Sequence, residues 1–263
     1  MPFADLGEFR LFYEDLGQGP PIIFLHGFSL DSRMWQPQAE AFRERYRLIL
    51  PDAKGHGRSD APETNYSRAH RVDDLRRLAD ILAIERFHLV GLSMGGSTAI
   101  GFALAFQERL LSLTLVSTGA AGYGAGKKFS RLDDIGRSEG PEAAKEQWIR
   151  WSLAWYKNGR RAELKPFIEK MMRDYSGAVW KDKMRGKYPK ENDLDRVDRI
   201  SIPTLIVAGE LDRIFLPLAR QLDERIRDSR LRVYEDVGHM VNLEAPERFT
   251  ADLKAFLEAG AGS

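Results

Sequence analysis

Phe87-His88-Leu89-Val90-Gly91-Leu92-Ser93-Met94-Gly95-Gly96, running on into Ser97 to Ala105, is the stretch that decides the fold. Its first four residues form an apolar run that reads as a buried strand, and Ser97 to Ala105, with Ala99, Ile100, Ala103 and Leu104, reads as a helix with few polar residues. Between them a serine stands with glycine two residues away on each side. That is the sequence form of a nucleophile elbow, a strained strand-to-helix turn that lifts the serine side chain out of the sheet and leaves no room for side chains two positions away. Three fixed residues are a modest signal, and the order strand, turn, helix gives them weight. The competing reading is an ordinary turn in a doubly wound sheet whose glycines serve only close packing.

Outward from this stretch, Arg10 to Glu14, Pro21 to Leu25, Tyr46 to Leu50, Leu111 to Val116, Thr204 to Ala208 and Leu231 to Tyr234 read as strands. Most are nearly continuous apolar runs, which suits strands buried on both faces. Helical patterns at Trp35 to Phe42, Ala69 to Leu82, Leu216 to Ile226 and Pro246 to Leu257 alternate with them, predicting an α/β fold with a mostly parallel sheet flanked by helices. In the last helix Phe249, Leu253, Phe256 and Leu257 make one apolar stripe that should close the far side of the sheet.

Between Thr118 and Ile200 the alternation fails. Charge rises, Trp148, Trp151, Trp155, Tyr156, Trp180 and Tyr188 appear, and helical stretches run over Glu142 to Tyr156 and Ala162 to Tyr175. We read this as a helical cap, dividing the chain into a core of residues 1–120 and 201–263 and a lid of residues 121–200. An insertion there can sit above the carboxyl ends of the strands, where open α/β sheets bind ligands. Its aromatics are candidates for an apolar pocket, although helical aromatic spacing more commonly marks an element's own core.

Composition narrows the function. At 263 residues and 43% hydrophobic content the chain can bury a substantial core. Forty basic against 39 acidic residues leave a net charge of +1, which favours small-molecule partners over nucleic acid or an anionic membrane surface. The absence of cysteine excludes disulfides, thiolate metal sites and a cysteine nucleophile. Met1-Pro2-Phe3-Ala4-Asp5 lacks a basic segment followed by an apolar core, and no stretch approaches the roughly 18 apolar residues of a membrane span. The expectation is a cytoplasmic protein without membrane contact, monomer or homodimer.

A serine nucleophile needs a base, and histidine is the usual one. Of the five histidines, His88 lies inside a strand and His70 begins a helix, while His26 and His56 sit near the upper rim of the sheet. His239 fits best, because it follows Leu231-Arg232-Val233-Tyr234 and opens a loop able to swing its ring towards Ser93. A carboxylate must hold that ring's tautomer. The strand Thr204 to Ala208 runs into Gly209-Glu210-Leu211-Asp212, so Asp212 is the choice and Glu210 the reserve; alone, Asp212 would equally well be a cap before Pro217. For the negative charge that develops on a substrate oxygen, the amides of Met94 and of Phe28, in Leu25-His26-Gly27-Phe28, are the expected donors.

These features together resemble an α/β-hydrolase of the capped esterase, lactonase and C–C hydrolase type over nearly the whole chain. The likeness rests on His26-Gly27-Phe28, on Asp52-Ala53-Lys54-Gly55-His56-Gly57-Arg58-Ser59, on the Ser93 turn, and on Gly238-His239 followed by Glu244-Ala245-Pro246-Glu247-Arg248-Phe249. The resemblance implies a cap inserted after the sixth strand, Ser93 as nucleophile, Asp212 as acid, His239 as base, and Phe28 and Met94 amides as oxyanion hole. Lys54 stands where relatives usually carry arginine, so a bidentate contact there is lost or replaced. Serine rather than aspartate at position 93 sets aside haloalkane dehalogenase and epoxide hydrolase chemistry, and Phe28-Ser29-Leu30-Asp31 lacks the proline common in perhydrolases. The expected activity is hydrolysis of small to medium, fairly apolar carboxylic esters, with no metal or organic cofactor. The 3-oxoadipate enol-lactonase branch is the nearest alternative, followed by C–C bond hydrolysis or perhydrolysis on the same residues, and a slow-turnover ligand receptor is the non-enzyme one.

Overall fold

The computed structural model describes residues 2–123, 126–154 and 161–260. Among these, eight strands form one sheet: β1 (Phe3–Asp5), β2 (Arg10–Leu16), β3 (Pro21–Leu25), β4 (Arg47–Pro51), β5 (Phe87–Leu92), β6 (Leu110–Val116), β7 (Thr204–Gly209) and β8 (Ser229–Tyr234). Their spatial order is β1-β2-β4-β3-β5-β6-β7-β8, with β2 antiparallel to both its neighbours and every other pair parallel. The three residues of β1 are too few for a periodic pattern, which is why the sequence reading passes over them. Counting β1, the long insertion does follow the sixth strand.

Alternate strand residues feed opposite faces. Ile23 and Leu89 join the core built by α2 (Arg68–Ile81), α3 (Met94–Phe106) and, beyond the insertion, the helix at Leu216–Arg225. Ile22, Phe24 and Val90 face α1 (Gln36–Phe42) and the last helix, Pro246–Gly260, whose Phe249, Leu253 and Leu257 are fully buried while Phe256 is only partly so. That helix therefore closes the far side as its stripe requires. Between β6 and β7 stand α4 (Gly126–Ser138), α5 (Pro141–Leu153), α6 (Lys165–Asp174) and α7 (Ala178–Lys181), followed along the chain by α8 (Leu216–Arg225), α9 (Val241–Glu244) and α10 (Pro246–Gly260). Leu132, Ala144, Tyr175, Val179 and Trp180 of the insertion make a small core with Tyr66, and Trp148 and Trp151 pack partly buried against it. Trp155 and Tyr156 lie outside the described residues.

Two element boundaries differ from the expected ones for one physical reason. β5 runs to Leu92 rather than Val90, because Gly91 and Leu92 still pair with Leu115 and Val116, and α3 begins at Met94 rather than Ser97. Gly95 and Gly96 are poor helix formers, which hides the true start, yet the turn folds the chain so sharply that Ser97 already donates to the Ser93 carbonyl at 3.0 Å. The connection from β3 goes outward to β4, and the one from β4 crosses back to β5. The crevice beyond the carboxyl ends of β3 and β5 is thus the point where strand order reverses, the usual ligand position in such sheets.

Candidate active site

Ser93 stands at that crevice between β5 and α3 with φ 55° and ψ −108°, a left-handed conformation that L-residues adopt only under constraint. The constraints are identifiable. The Ser93 amide donates to the Val116 carbonyl at 3.0 Å, and its own carbonyl accepts from Ser97 and, at 3.2 Å, from Gly119. Glycine is obligatory on both flanks, since a methyl at Gly91 would lie 2.5 Å from the Gly95 carbonyl oxygen and one at Gly95 only 2.2 Å from that of Leu25. Met94 opens α3, so its amide is among the first-turn donors that have no acceptor one helical turn back.

The loop after β3 abuts this turn: a methyl at Gly27 would meet the Cβ of Ser93 at 3.7 Å, and Phe28 follows directly. Ser29 adopts φ 61° and its hydroxyl donates to the Phe28 carbonyl at 2.6 Å. The Trp148 indole of α5 donates to the same hydroxyl at 2.6 Å, while the Phe28 ring meets Trp148, Tyr175 and Trp180 edge-on at 5.4, 5.3 and 5.7 Å. The insertion therefore grips the loop expected to carry an oxyanion donor.

Asp212 is fully buried, and its Oδ2 lies 2.7 Å from His239 Nδ1 while its Oδ1 accepts the Phe215 amide at 3.1 Å. Burial opposes ionisation of this carboxyl, but His239 and the Phe215 amide outweigh it and hold the group below the usual carboxylate range. An ionised carboxylate only accepts, so Nδ1 carries the proton and Nε2 is left with its lone pair. Asp212 is thus both ring partner and turn cap. Glu210 is not brought into the site: it is exposed and accepts the Asp236 amide at 3.3 Å. The His239 loop is clamped on either side by Glu244, which accepts the amides of Gly238 at 2.7 Å and Met240 at 3.0 Å. The His239 ring lies 5.1 Å from that of Phe215, one wall of a cavity of about 260 Å³ that also contains Ser93, Met94 and Phe28.

The remaining histidines have structural occupations. His26 Nε2 accepts the Ala53 amide at 2.9 Å, which leaves Nδ1 to donate to the Gly27 carbonyl at 2.8 Å, tying the loops after β3 and β4 together. Burial, reinforced by His26, depresses His56 well below its ordinary value, so that ring is neutral, packed 4.4 Å from Tyr175. His70 Nδ1 lies 2.6 Å from the Ser67 hydroxyl at the start of α2, and His88 Nδ1 lies 2.7 Å from that of Ser112. The arginine contact expected to be lost at Lys54 is replaced: its ammonium is 3.6 Å from Asp74, donates to the Asn65 carbonyl and covers the Phe9 ring at 4.4 Å.

Sequence reasoning passed over three contributors, Trp148 as a partner of Ser29, Phe215 beside His239, and Arg71, whose side chain lines the same cavity. None carries a local signal, because an arginine on a helix is ordinarily a solvated one.

The family model described as alpha/beta hydrolase fold matches residues 20–246. The chain belongs to this family. Within the α/β-hydrolases it is similar to 3-oxoadipate enol-lactonase 1 of Acinetobacter baylyi, 27% identical over 91% of this chain and 89% of that one. The solved structure of a thermophilic esterase from Thermogutta terrifontis with malate bound is 31% identical with a TM-score of 0.84, over 98% of this chain and 96% of that one. An enzyme described as degrading N-acyl homoserine lactones is 29% identical with a TM-score of 0.84, over 97% of this chain and the whole of that one. These relatives support hydrolase activity, and no helix among the described residues is long and apolar enough to cross a membrane.

Proposed function

We propose that this α/β-hydrolase is a serine hydrolase of carboxylic esters acting through an acyl-enzyme, with residues 121–200 as a cap over a core of residues 1–120 and 201–263. The observation that carries the reading is the 2.7 Å bond between buried Asp212 and His239 Nδ1, which leaves Nε2 as a base beside the cavity containing Ser93. His239 Nε2 takes the Ser93 hydroxyl proton as the oxygen attacks the ester carbonyl. The amides of Met94 and Phe28 receive the oxyanion, and the imidazolium returns the proton to the departing alcohol. Water then attacks the acyl-enzyme, gives its proton to His239, and the acid leaves as Ser93 recovers its own. Asp212 keeps the imidazole in the required tautomer and stabilises its charged form.

Lactone hydrolysis is the second reading, favoured by the similarity to an enol-lactonase and to a lactone-degrading enzyme. The same steps apply, except that the leaving alcohol stays tethered to the acid. A fluorophosphonate probe tests the nucleophile: the adduct is expected on Ser93, and Ser93→Ala should lose both the label and turnover, the latter by several orders of magnitude. Full activity in Ser93→Ala would overturn the reading. A panel of p-nitrophenyl esters against simple lactones then separates the two substrate classes, and turnover below one per hour on all of them would favour a ligand receptor.

A further inference from the structure

Three cationic side chains, Lys54, Arg71 and Arg185, line the cavity that contains Ser93, and no aspartate or glutamate does. Two of the three are already matched by carboxylates. Lys54 lies 3.6 Å from Asp74 Oδ2, and Arg185 Nε donates to Asp133. Arg71 is different. Its Nε donates to the Thr98 hydroxyl at 3.0 Å and its Nη1 to the Tyr66 carbonyl at 3.1 Å, both neutral acceptors. Among the described residues no carboxylate comes within 4.0 Å of its guanidinium and nothing accepts from Nη2.

A buried cation without a counter-charge costs several kcal/mol, so an unmatched guanidinium walling a cavity calls for a return. Burial, with help from Arg68, pulls Arg71 down to about 10, which leaves it charged at neutral pH. Its two fixed hydrogen bonds orient the planar fork and leave further N–H donors of Nη1 and Nη2 for a ligand, the arrangement that matches a carboxylate. The position is also coupled to the chemistry, because the Thr98 hydroxyl that holds Nε itself donates to the Met94 carbonyl in the first turn of α3, at 3.1 Å. A cavity of about 260 Å³ has room for a short chain between the two ends.

We propose that Arg71 is the recognition group for a carboxylate carried by the substrate a few bonds from its scissile carbonyl, so that the preferred esters or lactones are anionic half-acids. This rests on the serine-hydrolase reading above and replaces a fairly apolar substrate with one that is apolar only in its middle, where Phe28, Tyr123 and Phe215 stand.

The test compares mono(4-nitrophenyl) adipate with 4-nitrophenyl hexanoate, which share chain length and leaving group and differ by the terminal carboxylate. The wild type is expected to favour the adipate in kcat/KM by about tenfold or more, the strength of a charge-assisted pair. Arg71→Met should reverse that ratio and Arg71→Lys should keep part of it. A purely structural role would slow both esters alike and leave the ratio untouched. Preference for hexanoate in the wild type, a ratio unmoved by Arg71→Met, or a ratio lost only in Arg185→Met would each overturn the assignment. Calorimetric binding of adipate to wild type, Arg71→Met and Arg71→Lys supplies a readout that needs no turnover. If neither ester is cleaved and Ser93 is not labelled, the hydrolase reading fails, while tenfold weaker adipate binding in the Arg71 variants would still support the carboxylate site and equal binding would sink it. Should Arg71→Met not fold, the lysine variant decides both measurements.

Discussion

A few side chains in this molecule do two things at once, and that doubling is what makes the site rigid. Asp212 caps the turn before α8 with one oxygen and holds His239 with the other. Glu244 receives the amides on both sides of His239, so the loop cannot rotate the ring away without exposing two unsatisfied donors. His88 is the opposite case, a histidine used for packing. Burial pushes it down to about 4 while it touches Ser112, so between the unfolded value near 6.5 and about 4 the unfolded chain binds a proton that the folded one refuses. Stability contributed by this group is intact above about pH 6.5 and is lost as pH falls towards 4. Burial raises Asp74 to about 6, which acts in the other sense, favouring the folded state at low pH and losing that contribution as pH rises through 6. His88→Gln keeps a polar partner for Ser112 and removes the titration. We expect its loss of unfolding free energy between pH 7.5 and 4.5 to be about 2 kcal/mol smaller than that of the wild type by urea denaturation. Equal losses would place the acid sensitivity elsewhere.

Among elements, the contact that matters most is the one from α5 to the loop after β3. Ser29 holds an unfavourable positive φ, and its hydroxyl sits between the Phe28 carbonyl and the Trp148 indole. A helix of the insertion thereby fixes the residue proposed to donate to the oxyanion. Trp148→Phe keeps an aromatic ring against Phe28 and removes the N–H. We expect kcat on 4-nitrophenyl hexanoate to fall about tenfold with KM little changed, since one hydrogen bond of roughly 1 kcal/mol is withdrawn from a transition-state contact. A kcat equal to wild type would mean that the loop keeps its conformation without the cap. The elbow shows the same dependence from the core side, where the strain at Ser93 persists because Val116, Ser97 and Gly119 all bond its backbone.

At the scale of the whole molecule, the insertion is tied to the core at its neck by Asp193. This buried carboxylate accepts the Ala121 amide at 2.7 Å and Arg68 at 2.6 Å, and its own amide donates to the Ala121 carbonyl at 2.9 Å, so the outgoing and returning chains are joined to α2. Arg68 also pairs with Glu191. Removing one partner of a buried pair leaves an uncompensated charge, so Asp193→Ala should cost about 3 kcal/mol and lower Tm by roughly 10 °C. Limited proteolysis should then cut within residues 121–200 before the core. An unchanged melting temperature and cleavage pattern would show that Glu191 alone holds the neck.

How much of this was legible depends on how local each cause is. The alternation of apolar runs and helical stripes announced the parallel sheet, and Gly91, Ser93 and Gly95 announced the elbow, because sterics two residues away are written in adjacent letters. Asp212 and His239 were also nameable, each standing directly after a strand of recognisable pattern. Choosing Asp212 over Glu210 was a different matter, since both lie on one loop and only the packed fold buries one and leaves the other in water. The starts of α3 and the presence of β1 were hidden by glycines and by shortness.

The amino-acid order by itself determined the fold class, the strained serine turn and the pair of loops that bracket it, since each follows from short-range sterics and periodicity. The tertiary structure alone decided that Trp148 grips Ser29, that Phe215 backs His239, and that Arg71 faces the cavity without a carboxylate. Those are contacts between residues far apart in the chain, and whether a charge ends up paired, solvated or stranded is a property of what packs around it.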